Sequence, residues 1–217
     1  MSENLPTSHS KQIASFLEKQ TARARLAFIV DATASREPTW DMASQLQAQM
    51  FEEAAKIGGL EVQLVYFRGP YECSHSAWMA DARELQRMMS RVMCQAGYTK
   101  YLEALKHVRK EHERQKINAV VMIGDAMEEI PQQLYDVVSG LGVPLFCFQE
   151  GDLPNVSECF KEMARLTNGA HVHLDAGSAK HLGELLRAVA AFATGGLVAL
   201  ADQRTDSARK LLGQMKK

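Results

Sequence analysis

No glycine stands in the turn directly after the first long apolar run of this chain, no two cysteines form a CxxC pair, and neither sign of charge predominates. Each absence excludes a class of function. Without a glycine-rich turn the backbone cannot close on a pyrophosphate, so a dinucleotide loop is excluded at the first strand. Cysteines 73, 94, 147 and 159 lack zinc-ligand spacing. Cys147 lies inside the apolar run PLFCF and reads as a buried thiol, a usage that fits a reducing cytosol and predicts a cytoplasmic protein. With 25 Lys+Arg against 26 Asp+Glu and a net charge of -1, the chain has no basic field to hold nucleic acid. The basic groups at 23–25 and 109–116 read as solvated helix faces. The first twelve residues, MSENLPTSHSKQ, lack the apolar core of a secretory signal. The segment 188–201, AVAAFATGGLVALA, is too short for a membrane span and is interrupted by Gly195-Gly196. It reads as the end of a buried helix followed by a turn, and as a surface that packs on the domain or self-associates.

What is present is an alternation of strand and helix patterns in 217 residues, enough for one sizeable domain with additions. A helix is expected over 10–24, a buried strand at 26–30, a helix at 43–57 ended by Gly58-Gly59, and a strand at 60–67. The turn at 68–70 is too tight for a crossover, so a third strand at 72–79 must run antiparallel to the second. Helices at 81–93 and from Thr99, as N-cap, to before Lys116 precede a fourth strand at 117–123. Then follow a helix from Pro131, a strand at 143–148, a helix at 156–167, a strand at 170–174, a helix at 178–193 and a last amphipathic helix in the tail. The expected fold is α/β: a doubly wound, mainly parallel sheet of order 3-2-1-4-5-6 with the third strand antiparallel at the edge and helices on both faces. The domain is drawn at residues 24–193, with an N-terminal helical extension at 1–23 and a C-terminal extension or tail at 194–217.

Chemistry gathers at two strand ends. The first strand stops at Asp31, with hydroxyls at Thr33 and Ser35, and the fourth stops at Gly124-Asp125. In this strand order the first and fourth strands are neighbours where the winding reverses, so both aspartates flank one crevice at the carboxyl edge. Two close carboxylates repel unless a proton or a cation separates them. With the Thr33, Ser35 and Thr99 hydroxyls beside them, hard oxygen chemistry points to a divalent cation, Mg²⁺ or Mn²⁺, with a position left for water or a ligand. The alternative is that each aspartate caps the helix after its strand.

At these residues the chain resembles the von Willebrand factor A (VWA) domain family, whose metal-ion-dependent adhesion site (MIDAS) combines Asp-x-Ser-x-Ser, a later threonine and an aspartate after the fourth strand. Here the matching residues are Asp31-Ala32-Thr33-Ala34-Ser35, Thr99 in AGYTKY and Asp125 in VVMIGDAM. The resemblance implies that Thr33, Ser35 and Thr99 touch the metal while Asp31 and Asp125 mostly hold its waters. It further implies a bacterial protein-binding module, not an enzyme, that grips a partner's Asp or Glu carboxylate through Mg²⁺. Its partner would be an AAA+ ATPase or an assembly complex. Two departures stand out: Thr33 replaces the middle serine, and Ala126, followed by Met127, Glu128 and Glu129, replaces the usual glycine after Asp125.

The rival reading is a haloacid-dehalogenase-like phosphatase with Asp31 as nucleophile and GDAMEE as its acidic motif. That chemistry needs a general acid two residues after the nucleophile, and Thr33 cannot protonate a leaving group as a carboxylic acid can. A metal-free scaffold is the third reading. His171 and His173 share one face of a strand and read as core or edge histidines, and His107 and His112 lack the spacing of a zincin pair. Trp40 and Trp78 line the mouth of the site or pack.

Overall fold

The computed structural model describes residues 23–46, 48–56, 58–174 and 179–215. The helix expected over 10–24 therefore lies almost wholly outside the described residues. Six strands form one sheet: β1 (Ala24–Asp31), β2 (Leu60–Arg68), β3 (Glu72–His75), β4 (Ala119–Gly124), β5 (Leu145–Gln149) and β6 (Ala170–His173). Their order is β3-β2-β1-β4-β5-β6, and only the β2–β3 pair is antiparallel. The expected architecture is the observed one.

Central strands with helices on both sides must be apolar on both faces. In β1, Leu26, Phe28 and Val30 belong to one core and Ala27 and Ile29 to the other. The first core is closed by helices α1 (Glu37–Leu46), α2 (Ala48–Ala55), α3 (Ala82–Met89), α7 (Ala179–Asp202) and α8 (Asp206–Met215). The second is closed by α4 (Tyr101–Arg114), α5 (Pro131–Ser139) and α6 (Pro154–Leu166). Proline opens both α5 and α6, where its missing N–H costs nothing. Asp81 caps α3, accepting from the Arg83 backbone N–H at 2.6 Å.

Several local expectations are corrected. The single helix expected at 43–57 is two helices, α1 and α2, and the first begins at Glu37, close behind the Ser35 turn. The third strand is only four residues long, with Met79 returning to β2 through an isolated bridge to Val62. Thr99 does not cap α4: Lys100 holds the cap position without a side-chain bond, and the Thr99 side chain is engaged elsewhere. The last core helix does not stop at 193 but continues as α7 to Asp202, broken at Gly196, whose φ of 66° is the left-handed conformation that glycine tolerates. The boundary drawn at 193/194 falls inside that helix. Among the described residues α7 is the one helix long and apolar enough to cross a membrane. Its residues Leu182, Leu185, Leu186, Val189 and Ala190 are buried in the first core.

The two histidines of β6 are structural: His171 is buried with its Nε2 2.9 Å from Gln149 Oε1, and His173 Nε2 lies 3.2 Å from Ser157 Oγ. Trp40 is buried and donates from Nε1 to the Met89 carbonyl at 3.0 Å. Trp78 donates to Glu111 at 3.0 Å while the Arg25 guanidinium lies over its ring.

Candidate functional site

At the carboxyl edge of β1 and β4 a cleft of about 250 Å³ is lined by Asp31, Thr33, Ser35, Gly97, Thr99 and Glu128, with small residues between them. Three chain segments build it. The first leaves β1 at Asp31 and passes through a turn of 3-10 helix at Ala34–Arg36. The Thr33 N–H donates to Asp31 Oδ1 at 2.7 Å, and the Thr33 and Ser35 hydroxyls lie 3.4 Å apart. The second is the loop before α4, tied down by Gln95 N–H to the Ala32 carbonyl at 3.0 Å and Gly69 N–H to the Gln95 carbonyl at 3.1 Å. Gly97 sits so close to the Gly69 backbone that any Cβ would strike that carbonyl, so the approach requires glycine.

The third segment follows β4 and holds Thr99 from three sides. The Thr99 backbone N–H donates to Glu128 Oε2 at 2.7 Å, its hydroxyl donates to Glu129, and the Glu128 N–H donates to the Thr99 hydroxyl at 3.0 Å. Glu129 also accepts from the Leu102 N–H at 3.2 Å, at the start of α4. A threonine hydroxyl has one proton and two lone pairs. With the proton given to a carboxylate and one lone pair used, the second lone pair remains, on an oxygen made more negative by its own donation.

Asp31 is the least satisfied member. Its side chain is buried, and Oδ2 has no hydrogen-bond partner. Burial pushes its pKa up to about 6, against the Thr33 hydrogen bonds and the Arg36 charge, with Asp125 adding to the rise. Asp125 does not line the cleft itself. Its charge is felt by Asp31, and its Oδ1 is buried, without a hydrogen-bond partner and 3.8 Å from Arg36 Nε.

Sequence reasoning missed Arg36, the residue immediately after the hydroxyl motif. Its side chain is 2% exposed and ion-paired with Glu150, just past the end of β5, while Glu150 also accepts from the Thr39 hydroxyl at 2.6 Å. Burial opposes the Arg36 charge, and the bond to Glu150, its charge and that of Asp125 outweigh it, so its pKa is raised. Arg36 Nε and Nη2 and the hydroxyl of fully buried Tyr101 have no hydrogen-bond partner. Tyr101 also belongs to this centre: burial and the Asp31 charge raise its pKa well above the usual range. A charge directly behind Ser35 and a glutamate ending FCFQE were the legible signals.

No group of three or more histidine, cysteine or carboxylate side chains is placed to hold a metal among the described residues. The cleft's donor set is of another kind: one orphaned buried carboxylate oxygen beside three hydroxyls. Oxygen donors of this sort suit a hard divalent cation.

The solved structures of similar shape decide the fold. A von Willebrand factor type A protein from Catenulispora acidiphila superposes with a TM-score of 0.64 at 15% identity, over 80% of this chain and 43% of that one. This chain has the VWA fold. BatB, a conserved hypothetical protein from Bacteroides thetaiotaomicron, matches with a TM-score of 0.58 at 12% identity, over 83% of this chain and 98% of its own. The SpRpn10 VWA domain matches with a TM-score of 0.58 at 11% identity, over 75% and 95%. The chain thus spans nearly the whole of two VWA-fold neighbours and less than half of the Catenulispora protein. No protein-family model matches the sequence, and no curated protein matches it significantly. At these identities the shared property is the VWA fold alone.

Proposed function

We propose that the protein is a cation-dependent protein-binding module and not an enzyme, with Mg²⁺ or Mn²⁺ in the cleft between β1 and β4. Thr33, Ser35 and Thr99 would hold the ion, and Asp31 and Asp125 would hold its waters. The ion would supply a positive centre for an Asp or Glu carboxylate of a partner protein, because direct ligands that are neutral hydroxyls leave its charge uncancelled. The observation that carries this reading is Asp31 Oδ2, a buried carboxylate oxygen without a partner in a cleft of hydroxyls. Such a group is costly unless something satisfies it. In the same reading the protein works in a bacterial cytoplasm with its cysteines reduced, and its partner belongs to an assembly complex or is an AAA+ ATPase.

Following melting temperature while Mg²⁺ or Mn²⁺ is titrated in phosphate-free buffer tests the reading. At about 100 times the dissociation constant, mass action adds roughly 2.7 kcal/mol. Thr99→Ala should shrink that gain. Equal melting with and without either cation overturns the reading.

The second reading is a metal-free scaffold, favoured by Arg36, which already sets a positive charge beside Asp125. The phosphatase reading gains little support, since Thr33 occupies the general-acid position and both glutamates of GDAMEE are engaged by Thr99. Absence of turnover on p-nitrophenyl phosphate with Mg²⁺ is expected; turnover abolished by Asp31→Asn would reverse this choice.

A further inference from the structure

Seven large apolar side chains are exposed among the described residues, and five of them, Tyr71, Met93, Tyr98, Ile130 and Leu153, stand in loops at the carboxyl edge of the sheet. The other two, Leu197 and Val198, lie together just past the Gly196 kink of α7. Isolated exposed apolar residues need no explanation, but five of seven at the sheet edge that carries the polar cleft do. Tyr98 sits between Gly97 and Thr99, both in the cleft wall, and Ile130 follows Glu129, which holds the Thr99 hydroxyl. Tyr71 is in the β2–β3 turn, next to the loop of Met93, whose carbonyl accepts from Arg68 at 2.8 Å. Leu153 precedes α6, in the loop that begins with Glu150. Strand order puts Tyr71 and Met93 on the β2 side of the cleft and Ile130 and Leu153 on the β4–β5 side.

From this we infer that the five residues form an apolar collar around the cleft and that the partner is a protruding segment carrying an Asp or Glu flanked on both sides by bulky apolar residues. The inference rests on the cation reading above and deepens it. Charge complementarity fixes the central residue: a cation held by hydroxyls accepts an anionic oxygen, and a cleft of about 250 Å³ admits one side chain and not a folded surface. The collar fixes its neighbours. Tyr, Met, Ile and Leu on both rims gain from apolar groups that leave water with them, and aromatic and methionine side chains are the types enriched in binding surfaces. A basic segment would satisfy the cleft carboxylates without a cation but would set charges against the collar.

Panning a random-peptide phage library against the full chain in Mg²⁺ tests this, followed by binding assays of the enriched peptides with and without EDTA. The expected peptides share an acidic residue between bulky apolar ones and are released by EDTA. Ile130→Ser with Leu153→Ser, and separately Tyr71→Ser with Met93→Ser, should each weaken them about tenfold. Both variants should keep the melting shift given by Mg²⁺ alone, which shows that the cleft is intact. Acidic peptides with no apolar preference, or unchanged binding to both double variants, overturn the collar while leaving the cation reading standing. Basic peptides insensitive to EDTA, with no Mg²⁺ shift in the unaltered protein, overturn the cation reading and the collar with it.

Discussion

Replacing Asp31 by Asn should stabilise the metal-free protein at neutral pH and destroy its response to Mg²⁺. Asp31 has a native pKa of about 6 against an ordinary value of 3.8, because burial penalises its charge. The native state therefore takes up its proton more readily than the unfolded chain. Its contribution favours folding below the unfolded value and is lost as pH rises to about 6. Above that, the ionised side chain costs up to about 3 kcal/mol, two pKa units at 1.36 kcal/mol each. For a domain of this size that is roughly 6–12 °C in melting temperature. Asparagine keeps an oxygen for the Thr33 N–H bond and removes the charge. Paired melts of the two proteins in EDTA should coincide near pH 4 and separate towards pH 7.5, the variant melting higher. In Mg²⁺ the order should reverse, since only the carboxylate gains from the cation. His171 titrates in the same range but cancels in the difference between the two proteins. If the two proteins melt alike at pH 7.5 in EDTA, Asp31 carries no burial penalty, and the argument from its orphaned oxygen fails.

Arg36→Met should cost about 3–5 kcal/mol in urea unfolding, because it leaves Glu150 uncompensated beside Asp125, and Glu150→Gln in the same chain should recover much of it; a loss under 1 kcal/mol would show that the pair is not structural. Gly97→Ala drives a methyl into the Gly69 carbonyl and should cost about 1–3 kcal/mol, with faster amide exchange in the loop that carries Thr99; an unchanged melt would deny the close approach. Glu128→Gln removes a negative charge from the cleft wall while keeping an acceptor for the Thr99 N–H, so acidic peptides should bind more tightly; weaker binding would make Glu128 a ligand instead. His171 is held down to about 4 by burial and by the His173 charge, so its contribution is present above pH 6.5 and lost as pH falls towards 4; His171→Gln should flatten acid unfolding in that window, and an unchanged acid limb would place the sensitivity elsewhere.

Strand order and the antiparallel edge were legible because each rests on a local constraint. A five-residue apolar run such as LAFIV, rich in branched residues and stopped by Asp31, suits a buried strand, and the short turn after Arg68 forbids a crossover. The Asp31 and Glu128 segments meet in one cleft through the adjacency of β1 and β4, and the Thr99 loop joins them through its bonds to Ala32 and to Glu128 and Glu129. What sequence could not show depends on side-chain reach. Nothing local marks the role of Arg36, which appears only when the turn at Ala34–Arg36 brings it to Glu150, 114 positions away. Thr99 looks like a helix cap because hydroxyls before a helix usually are, and only the return of Glu128 and Glu129 reveals its other bonds. Asp125 reads as an equal of Asp31, whereas in the structure it faces Arg36 at 3.8 Å and is not part of the cleft lining.

The cleft wall comes from residues 31–35, 96–99 and 126–128, pinned by the contact of Gly97 with the β2–β3 turn. No contiguous piece of the chain can make it: β1, β2 and β4 must all be in register before the three segments face one another. A copy whose sheet is truncated or mispaired has no recess for a ligand to enter. Recognition at this edge is thereby a test of completed assembly, and whatever docks there meets only molecules whose sheet is whole.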